Sequence, residues 1–182
     1  MPIYHAEPGD DSPEAVSRQS YQSFACGLLH FGPVALYCSR RQLDADLETL
    51  VAEGFDVRRM QAGRWGADVS AHADLKATLE FPDFYGGNLN ALSDCLRDVK
   101  ISGEGGLAVV LEDFDDFAQR APDFARGVLD VFAHGSRLLQ IFAKTLIILV
   151  HTKDPDSDFG PLGAVTAWWN PREFVRSDRG KL

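Results

Sequence analysis

Basic residues are scarce in this sequence: 18 Lys and Arg stand against 27 Asp and Glu, a formal charge of −9 over 182 residues. That balance argues against a surface built for nucleic-acid duplexes, which needs clustered cations against the phosphates, and it suits a basic partner instead. Cysteine is scarce too. Cys26, Cys38 and Cys95 are odd in number and sit inside apolar runs, which argues against a disulfide framework and fits reduced, buried thiols in a reducing compartment. Long apolar runs are missing: the most apolar late stretch, IFAKTLIILV, is ten residues with Lys144 inside it, too short to span a bilayer. The N-terminal MPIYHAEPGDDSPEAV lacks a basic flank followed by an apolar core, so it does not read as a secretory signal. There is no internal repeat, no paired C-x-x-C spacing, no phosphate loop and no nucleophile motif. A soluble cytoplasmic protein is expected, without membrane association, metal, cofactor or catalytic residues.

What is there is a chain with 45% hydrophobic residues, enough for one good core. Residues 1–20 mix Pro, Gly, Asp, Ser and Glu with little apolar content and read as a disordered or loosely attached arm. Within 21–54, PVALYC reads as a buried strand, Ser39 as the cap of a helix carrying Leu43, Leu47, Leu50 and Val51, and Glu53-Gly54 as its stop. FDVRRMQA alternates like a strand, so the segment predicts a βαβ unit with parallel pairing. Within 55–152, the expected order is a short helix capped by Ser70 and ended by Pro82, a second helix to about Lys100, the loop SGEGG, the strand LAVVL, an acidic loop, and a helix from Pro122 to about Phe142. Gly127 and Gly135 weaken that last helix and place a candidate break near Gly135. TLIILV reads as a strand covered on both faces. In 153–182 a loop rich in Asp, Pro and Gly precedes AVTAWW, a candidate edge strand. The alternation makes the fold α/β, with a mostly parallel sheet of about four or five strands.

The stretch FPDFYGGNLNALSDCL, residues 81–96, carries the functional signal. Asn88 is placed to cap a helix whose Leu89, Leu92, Leu96 and Val99 form one apolar stripe. Asn90, Ser93, Asp94 and Arg97 then face solvent, while Phe84, Tyr85, Gly86 and Gly87 form a loop beside the helix start. By chemistry alone Asp94 reads first as a solvated carboxylate paired with Arg97 or a lysine elsewhere, and Phe84 with Tyr85 as a hydrophobic staple at the helix start.

Pro82, Phe84, Tyr85, Gly86, Asn88, Leu89, Ala91, Leu92, Asp94 and Leu96 follow the run P-x-[aromatic]-Y-G-x-N-L-x-A-L-x-D-x-L, ten positions within fifteen residues. This run closely resembles the signature of the barstar family of intracellular ribonuclease inhibitors. LAVVLE, VLDVF and TLIILV recur in the family's order, so the resemblance spans roughly residues 55–151. It implies a small α/β fold without catalytic activity, whose loop and helix plug the active site of a basic ribonuclease, barnase-like or toxin-like. It further implies that Asp94 takes the place of an RNA phosphate, that Tyr85 lies against the enzyme's catalytic histidine, and that the backbone of Gly86, Gly87 and Asn88 meets the enzyme. Asn90 stands where the family has a second aspartate, Ser93 at a tryptophan position, His134 at a glutamate and Phe84 at a tyrosine. Those four changes imply a different or more weakly bound target. The alternative is a regulatory module on the same fold with a partner that is not a ribonuclease.

The remaining candidates have structural readings of their own. Glu112, Asp113, Asp115 and Asp116 in EDFDD resemble a metal or carboxylate-pair site, yet suit the start of the next helix better. His151 at a strand end reads as structural. Of Trp168 and Trp169, adjacent on a strand, only one is expected to reach the core.

Overall fold

The computed structural model describes residues 23–66 and 68–173; the expected arm at 1–20 and most of the basic tail lie outside them. Five parallel strands form one sheet: β1 (Val34–Tyr37), β2 (Phe55–Met60), β3 (Gly106–Leu111), β4 (Leu146–His151) and β7 (Trp168–Trp169), in the order β2-β3-β4-β1-β7. Two further strands, β5 (Pro161–Leu162) and β6 (Val165–Thr166), make a small antiparallel hairpin. Both the N-terminal and the C-terminal segment therefore extend the sheet, as the α/β reading expects.

Period-two alternation assigns each strand residue to one of two cores. Val34, Leu36, Met60, Leu107, Val109, Leu111, Ile148 and Val150 face one layer. That layer consists of α3 (Asp68–Thr78), α4 (Leu89–Arg97), α5 (Phe114–Arg120) and α6 (Pro122–Ile141). Ala35, Tyr37, Ala108, Val110, Ile147 and Leu149 face the other, formed by α1 (Phe24–Phe31) and α2 (Arg40–Ala52). Every residue of β3 and β4 is buried, which explains why both read as uninterrupted apolar runs. Among the described residues no helix is long and apolar enough to cross a membrane.

Several local expectations are corrected. β1 and β2 are parallel but unpaired, because β3 and β4 stand between them and β1 pairs with β4. The crossover α2 lies across the sheet face, placing Leu43, Leu47 and Leu50 over Ala108, Val110, Ile147 and Leu149. The apolar pattern of α2 demands such a cover but does not say how many strands it crosses. Helix α1, capped by Ser23 Oγ on the Cys26 N–H, went unread because its FACGLLHF is apolar nearly all round. EDFDD divides, with Glu112 and Asp113 in a turn after β3 and Phe114, Asp115 and Asp116 opening helix α5. AVTAWW divides, with Val165–Thr166 in the hairpin and Trp168–Trp169 on the sheet edge.

Helix α3 stops at Thr78, before Pro82, because Glu80 takes a left-handed φ of 56° and the Phe81 N–H returns to Lys76 O. Ser70 lies inside the first turn of α3, its Oγ accepting from Gly66 N–H at 3.0 Å. No break occurs near Gly135: α6 runs unbroken for twenty residues. None of the three cysteines forms a disulfide among the described residues, and all three are partly exposed, not buried. Trp168 and Trp169 point to opposite sheet faces, and both pack partly into a core.

Candidate functional site

The residues singled out at 84–94 form a platform supported from below by helix packing. Asn88 is extended and its side chain accepts the Ala91 N–H at 2.9 Å, which caps α4 and ties the preceding loop to its first turn. Gly87 takes a φ of 58°, the left-handed value that gives glycine its advantage at this turn. Leu92 and Leu96 are fully buried against the α6 layer. The two glycines of α6 make that packing close. A Cβ at Gly127 would stand 2.6 Å from Leu89 Cδ1, and one at Gly135 would stand 3.2 Å from Leu96 Cδ1. Their small size, read from the sequence as a helix weakness, is what seats α4.

Tyr85 is anchored while Phe84 is free. The Tyr85 ring packs against Phe81 at 5.0 Å between centroids, and its hydroxyl shares a 2.5 Å hydrogen bond with His72 Nδ1. His72 also meets Phe124 edge-on at 5.2 Å, and Phe124 meets Phe117 at 5.9 Å, so the platform rests on aromatics that continue into the core. Burial pushes the Tyr85 phenol well above its ordinary pKa, with a smaller contribution from Cys95. Burial likewise lowers His72, against the opposing pull of Asp68. Phe84 is 84% exposed, so it does not close the helix start as a staple.

Asn90 and Asp94 are exposed on the outer face of α4, and Ser93 is half-buried beside them. Asp94 forms no hydrogen bond or ion pair among the described residues, to Arg97 or to any other. His134 is exposed on α6 and adjoins Gly135, the residue that abuts Leu96. The loop and the outer side of α4 thus carry Phe84, Gly86, Gly87, Asn88, Asn90, Ser93 and Asp94, with Tyr85 set among them. His72, which holds Tyr85, and Phe124, which backs His72, were missed in the sequence because each reads as an ordinary core position.

The acidic cluster after β3 divides its work. Glu112 is buried and accepts from Arg40 Nη1 at 2.9 Å, Arg59 Nε at 2.6 Å and Gln61 Nε2 at 2.5 Å. Burial alone would raise its pKa, but those hydrogen bonds outweigh it and hold the carboxyl below its ordinary value. Asp113 pairs with Arg40, and its backbone N–H donates to His151 Nδ1 at 3.4 Å. Only Asp115 and Asp116 lie in the first turn of α5, so the helix-start reading holds for two of the four. Among the described residues no three Asp, Glu, His or Cys side chains gather closely enough to hold a metal ion.

The layers and the platform define a small α/β protein that presents one helix and its preceding loop on an open side. The family model described as Barstar (barnase inhibitor) matches residues 55–149, from β2 into β4, and the chain belongs to that family. "Putative ribonuclease inhibitor YrdF" of Bacillus subtilis (strain 168) is 38% identical over 77 residues, covering 42% of this chain and 80% of that protein. A chain in the solved structure of Drosophila ORC bound to AT-rich DNA and Cdc6 is a far more distant likeness. Its identity is 12% and its TM-score 0.49, over 78% of this chain and 47% of that one. Here the chain spans about half the length of the protein it matches.

Proposed function

We propose that this protein is an intracellular, non-catalytic inhibitor that forms a stoichiometric complex with a small basic ribonuclease, covering the enzyme's phosphate-binding site with α4 and the 84–88 loop. The observation that carries this reading is Asp94: an exposed carboxylate, unpaired among the described residues, on a helix seated by Gly127 and Gly135. A carboxylate so placed can accept charge-assisted hydrogen bonds from Arg or His where RNA would present a phosphate, with little conformational entropy left to lose. Tyr85, already fixed by His72, supplies a rigid aromatic surface beside it. The net charge of −9 attracts a basic enzyme and speeds encounter at low salt. Membership of the Barstar family and the likeness to a ribonuclease inhibitor support the reading.

The test is capture of the partner from cell extract, followed by calorimetry and an RNA-cleavage assay with the captured enzyme. One-to-one binding with loss of cleavage is expected. Asp94→Ala should weaken binding by about 2 to 5 kcal/mol, the range for truncating one member of a buried charge pair, mainly through faster dissociation. A loss below about 0.5 kcal/mol, ordinary for an uninvolved surface residue, would place the interface elsewhere.

A further inference from the structure

Away from the platform, a cavity of about 460 Å³ opens between the start of α5, the start of α6 and the 154–160 loop. Asp115, Asp123, Asp154, Asp156 and Asp158 line it, with Arg126 as the one cation among the lining residues. Arg126 is partly committed, since its Nε donates to Pro161 O at 3.3 Å. Four of these aspartates are exposed at the rim. The floor is different: Asp115 is only 7% exposed, and its Oδ1 is buried without a hydrogen-bond partner among the described residues. Asp115 lines the cavity, and neither of its carboxylate oxygens has a hydrogen-bond partner among the described residues, so a cationic donor in the cavity gains a charge-assisted bond to the carboxylate from its open side.

The shape selects among cations. A bare metal ion needs several ligands converging within a few ångströms, whereas these carboxylates stand apart around a volume in the range of small-molecule sites. Ala118, Pro122 and Phe159 add apolar lining between them, suited to an alkyl stem. We propose that this cavity binds an organic cation, an alkylammonium or guanidinium group, with its charged end on Asp115, its stem along Ala118, Pro122 and Phe159, and any second charge at the aspartate rim. Nothing in this inference depends on the ribonuclease reading, because the cavity uses none of the platform residues.

Calorimetry on the full chain at constant ionic strength tests it, with spermidine and Nα-acetyl-arginine amide as probes and sodium and calcium chloride as controls. At least one organic probe should bind one-to-one. Asp115→Asn, which keeps the shape and removes the charge, should weaken that binding tenfold or more. The exposed pair Asp123→Asn with Asp156→Asn, which leaves the floor intact, should weaken it a few-fold and carries the test should Asp115→Asn fail to fold. Binding of spermidine alone identifies a free polycation as the natural ligand, and binding of the arginine amide alone identifies a protein side chain. The proposal is overturned if neither probe binds more tightly than sodium, if calcium binds more tightly than both, or if both sets of variants bind like the parent.

Discussion

The Tyr85 hydroxyl stands 2.5 Å from Nδ1 of buried His72, joining the loop before α4 to the middle of α3. Tyr85→Phe keeps the ring packing but leaves the imidazole nitrogen without its partner. A loss of about 1 to 3 kcal/mol is expected, the cost of an unsatisfied buried polar group. Urea unfolding would measure it, and an unchanged midpoint would show the bond to be dispensable.

The same pair sets a pH dependence. Because His72 is held below its ordinary value, the unfolded chain takes up a proton there before the folded one does. The stability contributed by neutral His72 is complete above about pH 6.5 and declines as the pH falls below it. His72→Gln should flatten the stability profile between about pH 6.5 and the lower folded-state value. A slope that survives the substitution would assign it to another group.

Glu112 acts lower on the scale and in the same sense. Its folded pKa is depressed by Arg40, Arg59 and Gln61, so its contribution is present above about pH 4.3 and is lost as acid protonates it below that. Glu112→Gln should lower stability at pH 7 while removing part of the acid-induced loss. Thermal melts at pH 7 and pH 3.5 would show the two variants converging.

Gly105 belongs to the SGEGG loop, and a Cβ there would collide with Glu53 O and press on Phe55. Both neighbours are held by the turn between α2 and β2, so the backbone has no cheap way to yield. Gly105→Ala should cost about 1 to 3 kcal/mol, as overpacking does. A neutral result would mean that the loop shifts freely.

Asn90→Asp bears on the partner. Restoring a carboxylate beside Asp94 should tighten binding to a barnase-like enzyme, and should weaken it to a target shaped around an amide. Dissociation constants for both variants on the captured enzyme would decide.

Much of this was legible in advance because periodicity reports burial. The runs at 107–111 and 146–151 could only be covered strands, and Asn88 followed by Leu89, Leu92 and Leu96 could only open an amphipathic helix. Strand order was not legible, since residues 34–37 and 55–60 satisfy a parallel unit whether adjacent or with two strands between them. The outer face of α4 could be read from spacing, but the support of Tyr85 by His72 could not, because a tertiary contact between neighbouring elements leaves no periodic trace. Gly127 shows the same limit: propensity marks it as a flaw, and only the approach of Leu89 shows its use.

Asp46 is fully buried and gathers Tyr37, Gln42, Asn170 and Arg172 around one carboxylate. Asn170 lies 124 residues further along the chain, and the bond from Trp168 Nε1 to Gly32 O spans 136. During synthesis β1 therefore emerges early and waits for β4 to pair with it, then for residues 168–173 to close its outer edge. Among the described strands the earliest-made is thus the last to be completed, and until then its apolar edge is open to aggregation. Chains released before Trp168 should be captured by holdase chaperones or precipitate, whereas the finished chain folds free of them.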